Sequence, residues 1–348
     1  MRTFIQLKSG QDNPEKMNRE HDRPAHIRGR RIASFELASP MVATSSWSKV
    51  VFAAGFFLCV PVAEVADIPL QYNKKLTSLG FPSPLLRGTI RGQTAWFIID
   101  TGAGVHCLAS WLINAANIPT RETTSTVTGS TGVENPVRGV YNEAIRLSGS
   151  RRDVRLREAI ATDFPAEFQE QRIGGLLSPQ LLAPPGMATV LDLSMPRLSF
   201  RNFEVAIRRL RVGRKSFETA IVCSNSESPF TNRLYAAPMS AAGITGLMLV
   251  DTGATRSVAL PSSPIAAALL SRASAGGNTE GIGGGVTKTQ KVADVPLRFA
   301  GSEVNVTLVI GGAPPLCASD GLLGMDVLRQ CVLILGGSDF SAVSAAKH

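Results

Sequence analysis

Two stretches of this 348-residue chain are nearly the same: Phe97-Ile98-Ile99-Asp100-Thr101-Gly102-Ala103 and Met248-Leu249-Val250-Asp251-Thr252-Gly253-Ala254. Each places Asp-Thr-Gly-Ala directly after an apolar run, and the two aspartates are 151 residues apart. A carboxylate at the end of an apolar strand costs free energy to bury alone, so its repetition indicates that the two come together as a pair. Paired carboxylates are typical of acid-base chemistry on water.

The repetition extends beyond these two motifs. Gly129-Ser130-Thr131-Gly132-Val133 begins 29 residues after Asp100, and Gly281-Ile282-Gly283-Gly284-Gly285-Val286 begins 30 residues after Asp251. Two further landmarks repeat in the same order, and they begin at Ile145 and Leu297 and at Gly175 and Gly321. A period this long indicates two similar lobes, because solenoid repeats have periods of about 20 to 50 residues.

Composition favours an all-β fold. The chain is 44% apolar, and it contains 32 glycines, 21 prolines and short apolar runs separated by turn residues. This pattern predicts a first lobe at residues 67–200 and a second lobe at 236–348. A basic connector at 201–235 would join them, and residues 1–66 would form an amino-terminal extension.

The paired motifs resemble those of two-lobed aspartic peptidases of the pepsin-like and retropepsin-like kind. The resemblance implies an all-β, bilobal acid-protease fold, with two pseudo-symmetric barrel-like lobes and a central cleft. It extends from about Leu85 to Leu335. It includes Leu322-Leu323-Gly324, which is similar to the strand that threads past the catalytic loop in this family.

The resemblance also implies a role for each matched residue. Asp100 and Asp251 match the catalytic positions, where one carboxyl group holds a proton while the other takes one from a water molecule. The residues that match the support of the catalytic loops are Thr101, Gly102, Thr252 and Gly253. The glycines expected in the two substrate-binding flap hairpins are Gly129, Gly132, Gly281, Gly283 and Gly284. This chemistry needs no cofactor and no metal.

The sequence departs from the family pattern at several positions. Ala103 and Ala254 stand where pepsins usually carry Ser or Thr, whose hydroxyl hydrogen-bonds the aspartate, and the loss of that bond would raise the operating pH. Tyr141 falls too late to match the family's flap tyrosine. The lobes also differ from each other, with His106 in the place of Ser257 and Ser178 in the place of Gly324.

The amino-terminal extension contains an apolar run at residues 50–62, preceded by Lys49. Thirteen apolar residues are too few to span a bilayer comfortably, but they suit the core of a signal peptide. We therefore expect an exported protein, periplasmic or extracellular, whose translation begins at Met1 or Met41. The alternative is an uncleaved segment that anchors the chain in a membrane.

The cysteines leave two interpretations open. Cys317 and Cys331 bracket the last repeated landmark, so in an exported protein they would form a disulfide bond. Both would otherwise be small core residues. Cys107 and Cys223 are the two cysteines that remain after residue 66, and nothing in their spacing favours a bond between them.

Other classes of function are disfavoured. The four histidines, at His21, His26, His106 and His348, leave one interior histidine, so a His-Glu-x-x-His zinc site is absent from the sequence. The net charge of +9 comes without the interleaved aromatic residues of a nucleic-acid stacking surface.

The sequence therefore predicts an aspartic endopeptidase whose partner is a peptide or protein substrate in an extended conformation. Both lobes lie in one chain, which favours a monomer over a half-lobe enzyme that dimerises. The rival hypothesis is a non-catalytic peptide-binding or inhibitor-like protein that keeps the same fold.

Overall fold

Strands dominate the computed structural model of the chain. It describes residues 6–8, 67–78, 80–128, 134–150, 153–211, 217–219, 221–224, 233–280, 286–312, 318–336 and 339–344. Within these residues the strands form three sheets, one for each of two lobes and one shared between them. The prediction of an all-β, bilobal fold is confirmed.

The first lobe is a closed sheet. Its strands are β1 (Gln6–Lys8), β3 (Leu85–Ile90), β4 (Gln93–Ile99), β5 (His106–Ala109), β6 (Arg121–Thr128), β7 (Glu134–Leu147), β8 (Asp153–Thr162) and β9 (Ile173–Leu177). They are arranged in the order β1-β6-β7-β3-β4-β9-β5-β8, and β8 pairs back onto β7. This additional pairing closes the sheet, so the apolar faces of the strands enclose a core.

The second lobe repeats this path. Its strands are β13 (Ile221–Ser224), β14 (Arg233–Ala241), β15 (Ile244–Val250), β16 (Val258–Ala259), β17 (Ser274–Glu280), β18 (Val286–Phe299), β19 (Ser302–Ile310) and β20 (Gly321–Leu323). Pairing of β14 with β18 closes this sheet as well. The parallel pairs β4–β9 and β5–β8 have their counterparts in β15–β20 and β16–β19. The sequence repeat thus corresponds to the same strand topology in both lobes.

A third sheet joins the lobes. Its strands are β2 (Ile68–Pro69), β10 (Ala188–Asp192), β11 (Arg197–Arg201), β12 (Phe217–Thr219), β21 (Cys331–Gly336) and β22 (Asp339–Ser344). Each lobe is followed by a hairpin, β10–β11 or β21–β22, and the two hairpins meet through an antiparallel β10–β21 pairing. Every residue of β10 is buried. The two lobes therefore share a continuous sheet.

The helices are short. They are α1 (Lys74–Ser78), α2 (Ser110–Ala115), α3 (Ala166–Glu170), α4 (Phe203–Arg211), α5 (Pro264–Leu269) and α6 (Met325–Leu328), with 3₁₀ turns at Pro179–Leu181 and Leu270–Arg272. Helix α4 and strands β12 and β13 occupy much of the region 201–235, for which the sequence predicted a basic connector. The predicted boundaries of the lobes stay predictions.

The apolar runs before the two aspartates form strands that are buried on both faces. In β4, Phe97 and Ile99 contribute to the largest apolar cluster, while Ile98 points to a second cluster on the opposite face. In β15, Met248 and Val250 likewise face the largest cluster, while Leu249 faces another. Burial on both faces explains the unbroken apolar runs, and it places each aspartate at the inner end of a rigid strand.

Several sequence predictions lie outside the described residues. These are the apolar segment at 50–62, Cys317 and the flap glycines Gly129, Gly132, Gly281, Gly283 and Gly284. Among the residues that are described, no helix has the length and apolar character needed to cross a membrane.

Candidate active site

The two Asp-Thr-Gly loops begin where β4 and β15 end. The backbone N–H of Asp100 donates to the carbonyl of Leu177 at 3.0 Å, and that of Asp251 donates to the carbonyl of Leu323 at 3.0 Å. Leu177 ends β9 and Leu323 ends β20, the strands that run parallel to β4 and β15. Each aspartate is therefore held by the strand that threads beside its loop.

The two threonines interlock the loops. Thr101 Oγ1 donates to the carbonyl of Val250 at 2.8 Å, and Thr252 Oγ1 donates to the carbonyl of Ile99 at 2.7 Å. Each hydroxyl oxygen also accepts from the other threonine's backbone N–H at 3.0 Å. All four backbone groups are satisfied across the junction between lobes, so neither loop can move independently of the other.

The two glycines bring the loops into close contact with the carboxyl groups. Gly102 N–H donates to Asp100 Oδ1, and Gly253 N–H donates to Asp251 Oδ1, both at 2.8 Å. A Cβ atom built on Gly102 would lie 2.5 Å from Cγ of Asp251, and one built on Gly253 would lie 2.6 Å from Oδ2 of Asp100. Only glycine allows each carboxyl group to lie against the opposite loop.

The electrostatics favour a shared proton. Asp100 and Asp251 are both completely buried. Burial raises the pKa of Asp100 well above its usual range, and the charge of Asp251 and a hydrogen bond with its side chain raise this pKa further. The backbone N–H groups of Gly102 and Ala103 act in the opposite direction but do not offset these effects. The pair therefore retains a proton at a pH where isolated carboxyl groups are ionised.

His106 supports the first loop from behind. Its Nδ1 accepts a hydrogen bond from the backbone N–H of Ser178 at 3.1 Å. Burial lowers the pKa of His106 to about 4. The ring is therefore neutral near pH 7, and its role in the structure is to accept a backbone hydrogen bond.

Gln180 joins the first loop to the second lobe. Its Nε2 lies 3.2 Å from the carbonyl oxygen of Thr101, 3.0 Å from that of Ala103 and 2.7 Å from that of Arg233. Arg233 is the first residue of β14, and its own N–H donates to the carbonyl of Gly104. One buried amide group thus bonds to carbonyls of both lobes.

The second loop has a different support. Ser257 Oγ accepts from the backbone N–H of Gly324 at 3.1 Å and donates to Asp326 Oδ1 at 2.8 Å. The carboxylate of Asp326 also accepts from the backbone N–H of Ser257. Burial raises the pKa of Asp326, although these hydrogen bonds partly offset the effect.

Gln180 and Asp326 were not predicted from the sequence as residues of the site. Each stands two residues after the end of the last repeated landmark, at Ser178 and Gly324, so an alignment of the two halves would have paired them. Among the described residues, no group of three or more His, Cys, Asp or Glu side chains is arranged to hold a metal. Cys107 is buried, and burial raises the pKa of its thiol, which makes it a poor nucleophile.

Comparison with known proteins agrees with the geometry of the first lobe. Residues 86–178, from β3 to the end of β9, match the family described as aspartyl protease. The resemblance to the aspartic peptidases is confirmed. The match covers the half of the site that contains Asp100, and it supports assignment to the protease class.

Solved structures of similar topology are more distant. Basic 7S globulin from soybean has a TM-score of 0.46 and 10% identity, over 80% of this chain and 95% of the globulin chain. The aspartic proteinase from Irpex lacteus has a TM-score of 0.45 and 10% identity, over 81% of this chain and 98% of its own. At these TM-scores the similarities carry no argument about activity. None of the curated proteins matches the chain.

Proposed function

We propose that this protein is an aspartic endopeptidase, with Asp100 and Asp251 as its catalytic dyad. One observation carries the proposal: two buried carboxyl groups from different lobes lie against each other's loops, and the charge of Asp251 raises the pKa of Asp100. Their desolvation raises the free energy of the doubly ionised state. A structural role alone would be served better by neutral side chains, since a buried carboxyl pair is costly.

The proposed reaction follows from the shared proton. The ionised carboxylate takes a proton from a water molecule as the water attacks the scissile carbonyl carbon. The neutral carboxyl group donates its proton to the carbonyl oxygen, which gives a tetrahedral intermediate without a covalent bond to the enzyme. Proton transfer to the nitrogen then releases the amine. The threonine bonds keep both carboxyl groups in position throughout.

The proposal requires an opening of the structure over the dyad. Both carboxyl groups are fully buried, so a peptide could contact them only after such an opening. The same burial is the observation that favours the rival function, a non-catalytic protein that binds peptides with the same fold. The two functions differ in whether turnover depends on Asp100 and Asp251.

Substitution of each aspartate tests the proposal. In the purified full chain, Asp100→Asn and Asp251→Asn are each expected to lower the rate of peptide cleavage by about a thousandfold. The double variant should lose little more, because the two groups act in the same step. The assay is mass spectrometry of a mixed peptide library incubated with each variant between pH 3 and pH 7.

Asp294→Asn is a matched control. Asp294 is exposed on β18 and has a positive φ of 52°, a conformation that asparagine adopts easily, so this variant should keep full activity. Circular dichroism should show that all variants are folded. Wild-type turnover in folded Asp251→Asn, or no turnover in the wild type, would contradict the proposed endopeptidase.

Export and the disulfide bond are further proposals. The apolar run at 50–62 supports a cleaved signal peptide, which amino-terminal sequencing of protein from the native host would detect. The proposed bond between Cys317 and Cys331 rests on their positions on either side of the last repeated landmark in an exported protein. Peptide mapping without reduction would find the linked pair.

A further inference from the structure

A large cavity lies beside the second catalytic loop. It has a volume of about 700 Å³, within the range of ligand pockets in proteins. Three parts of the chain line it: the segment before β3, the turn between β10 and β11, and the second lobe at the end of its catalytic loop, β19 and α6. We refer to it as the arginine cavity, after Arg256 and Arg329 in its wall.

The arginine cavity adjoins the loop of Asp251 through its lining residues, although neither Asp100 nor Asp251 lines it. Ala254 is the last residue of the Asp-Thr-Gly-Ala motif, and Thr255 and Arg256, which follow it, line the cavity. Ala254 N–H donates to Asp251 Oδ1 at 3.0 Å, and its carbonyl accepts from Met325 N–H at 2.8 Å, where α6 begins. A ligand in the cavity therefore contacts residues that hydrogen-bond to the loop of Asp251.

The charges that face the cavity are mainly positive. Arg256 and Arg329 are both exposed, and within the described residues neither guanidinium makes an ion pair or a hydrogen bond. Asp326 is the acidic residue of the lining, but its carboxylate already accepts from Ser257. Two arginine side chains are thus available to a ligand.

The rest of the lining is largely apolar. Leu193, Met325 and Val306 are buried and form part of its wall. Tyr72 stands at the edge, close enough to Arg329 for the arginine's charge to lower the pKa of the phenol, although burial and Asp192 raise that pKa to about 12. An apolar surface with two guanidinium groups suits a ligand that has both an apolar body and an anionic group.

We propose that the arginine cavity is a specificity site that binds a carboxylate of the substrate peptide through Arg256 and Arg329. This inference rests on the proposed endopeptidase function and specifies its substrate class: peptides with an acidic group on one side of the scissile bond. The guanidinium group is planar and binds carboxylates with two parallel hydrogen bonds, which gives it selectivity for this group. The carboxylate comes from an Asp or Glu side chain or from the carboxyl terminus of the peptide.

Binding to the inactive full-length Asp251→Asn variant tests the proposal independently of turnover. Fluorescence anisotropy would compare labelled peptides that are amidated at the carboxyl terminus and differ only in Glu or Gln, with this residue placed at successive positions. At one position, the Glu peptide should bind about tenfold more tightly than the Gln peptide. A second pair, a Gln peptide with a free or an amidated terminus, shows whether the terminal carboxylate is the source.

Arginine variants in the same background identify the site. Arg256→Gln and Arg329→Gln should each reduce the preference for the carboxylate about threefold or more, and Arg256→Lys should retain part of it. Arg87→Gln is the matched control, because Arg87 is an exposed arginine on β3 that does not line the cavity. Higher salt should weaken the preference, since the arginines are exposed.

The outcomes separate this inference from the endopeptidase proposal. Selective binding of acidic peptides that depends on Arg256 or Arg329 supports a carboxylate-binding site in the arginine cavity even if the wild-type protein cleaves no peptide, and cleavage of the same peptides would make it a specificity site. Equal binding of Glu and Gln peptides at every position, together with equal binding of free and amidated termini, would overturn it. A carboxylate preference that survives both arginine substitutions would overturn it as well.

Discussion

The two lobes hold their Asp-Thr-Gly loops by different means although the loops themselves are alike. Between the loops the bonds are reciprocal: Thr101 and Thr252 exchange hydrogen bonds of the same kind and nearly the same length. Behind the loops the chemistry differs. In the first lobe the ring of His106 accepts the N–H of Ser178, whereas in the second the hydroxyl of Ser257 accepts the N–H of Gly324.

Residues that bond between the lobes must match each other, whereas residues that bond within one lobe can differ between the lobes. A threonine bonds to the other lobe, so a change in one loop leaves an unsatisfied group in the other. His106 bonds within the first lobe and Ser257 within the second, so each needs only an acceptor for one backbone N–H. Either an imidazole nitrogen or a hydroxyl oxygen can accept this hydrogen bond. His106 and Ser257 can therefore differ in type while the two loops keep the same geometry.

Gln180 and Asp326 extend the contrast. They occupy matching places after Ser178 and Gly324, but Gln180 donates to backbone carbonyls of both lobes, whereas Asp326 accepts from Ser257 of its own lobe. The first lobe therefore contributes an additional link across the junction. A carboxylate at position 180 would face three carbonyl oxygens and repel them, which explains why the two positions are not interchangeable.

The largest expected effect tests the reciprocity of the threonines. Thr101→Val and Thr252→Val should each lower the free energy of unfolding by about 2 to 4 kcal/mol, because each leaves a buried carbonyl and a buried N–H of the opposite loop unsatisfied. Chemical denaturation of the full chain would measure the two losses. Thr307→Val, at a half-buried position of β19, is the control and should cost much less.

Equal losses would support a symmetric junction. The two losses of unfolding free energy should differ by less than about 2 kcal/mol, which is the scale of one buried hydrogen bond. A larger difference would show that the two threonines contribute unequally to stability although their hydrogen bonds have nearly equal lengths.

A smaller effect concerns the different supports and depends on pH. Replacement of His106 by the residue of the second lobe, His106→Ser, should destabilise the protein near pH 7 because it leaves a small cavity. The folded pKa of His106, about 4, lies below the value of about 6.5 expected in the unfolded chain. As the pH falls, His106 of the unfolded chain binds a proton before His106 of the folded chain does. The free energy of unfolding of the wild type therefore decreases as the pH falls from 6.5 to 4.

His106→Ser has no imidazole at this position, so its free energy of unfolding does not decrease through protonation of residue 106. The difference in unfolding free energy between wild type and His106→Ser should consequently narrow by up to about 3 kcal/mol between pH 7 and pH 4. The dyad titrates in both proteins, so its contribution cancels in the comparison. Denaturation curves at both pH values provide the measurement, and a difference that stays constant or widens would show that His106 is not held neutral.

The smallest effect concerns the position that both lobes share, the alanine after each glycine. Ala103→Ser and Ala254→Ser would each add a hydroxyl next to one carboxyl group, and a hydrogen bond to the ionised form lowers its pKa. The acid limb of the pH–activity profile should shift to lower pH by less than about one unit in each variant. A shift to higher pH, or none in either variant, would mean that the hydroxyls do not reach the dyad.

The sequence alone predicted those features that are encoded in local patterns. Unbroken apolar runs before Asp100 and Asp251 predicted apolar strands that end in buried carboxyl groups, and the repeated spacing predicted two similar lobes. The glycines of the motifs predicted tight loops next to the carboxyl groups. These predictions succeeded because burial, chain reversal and repetition all leave a trace within a few residues or at a fixed spacing.

Only the tertiary structure decided which distant residues meet. Pairing of β10 with β21 joins residues far apart in sequence, and the pattern of neither strand specifies its partner. The reach of Gln180 to Arg233, and the presence of Arg256 and Arg329 in one cavity, depend in the same way on how whole elements pack. Local sequence sets the conformation of each segment, whereas contacts between segments follow from the free energy of burying their surfaces together, which no single segment contains.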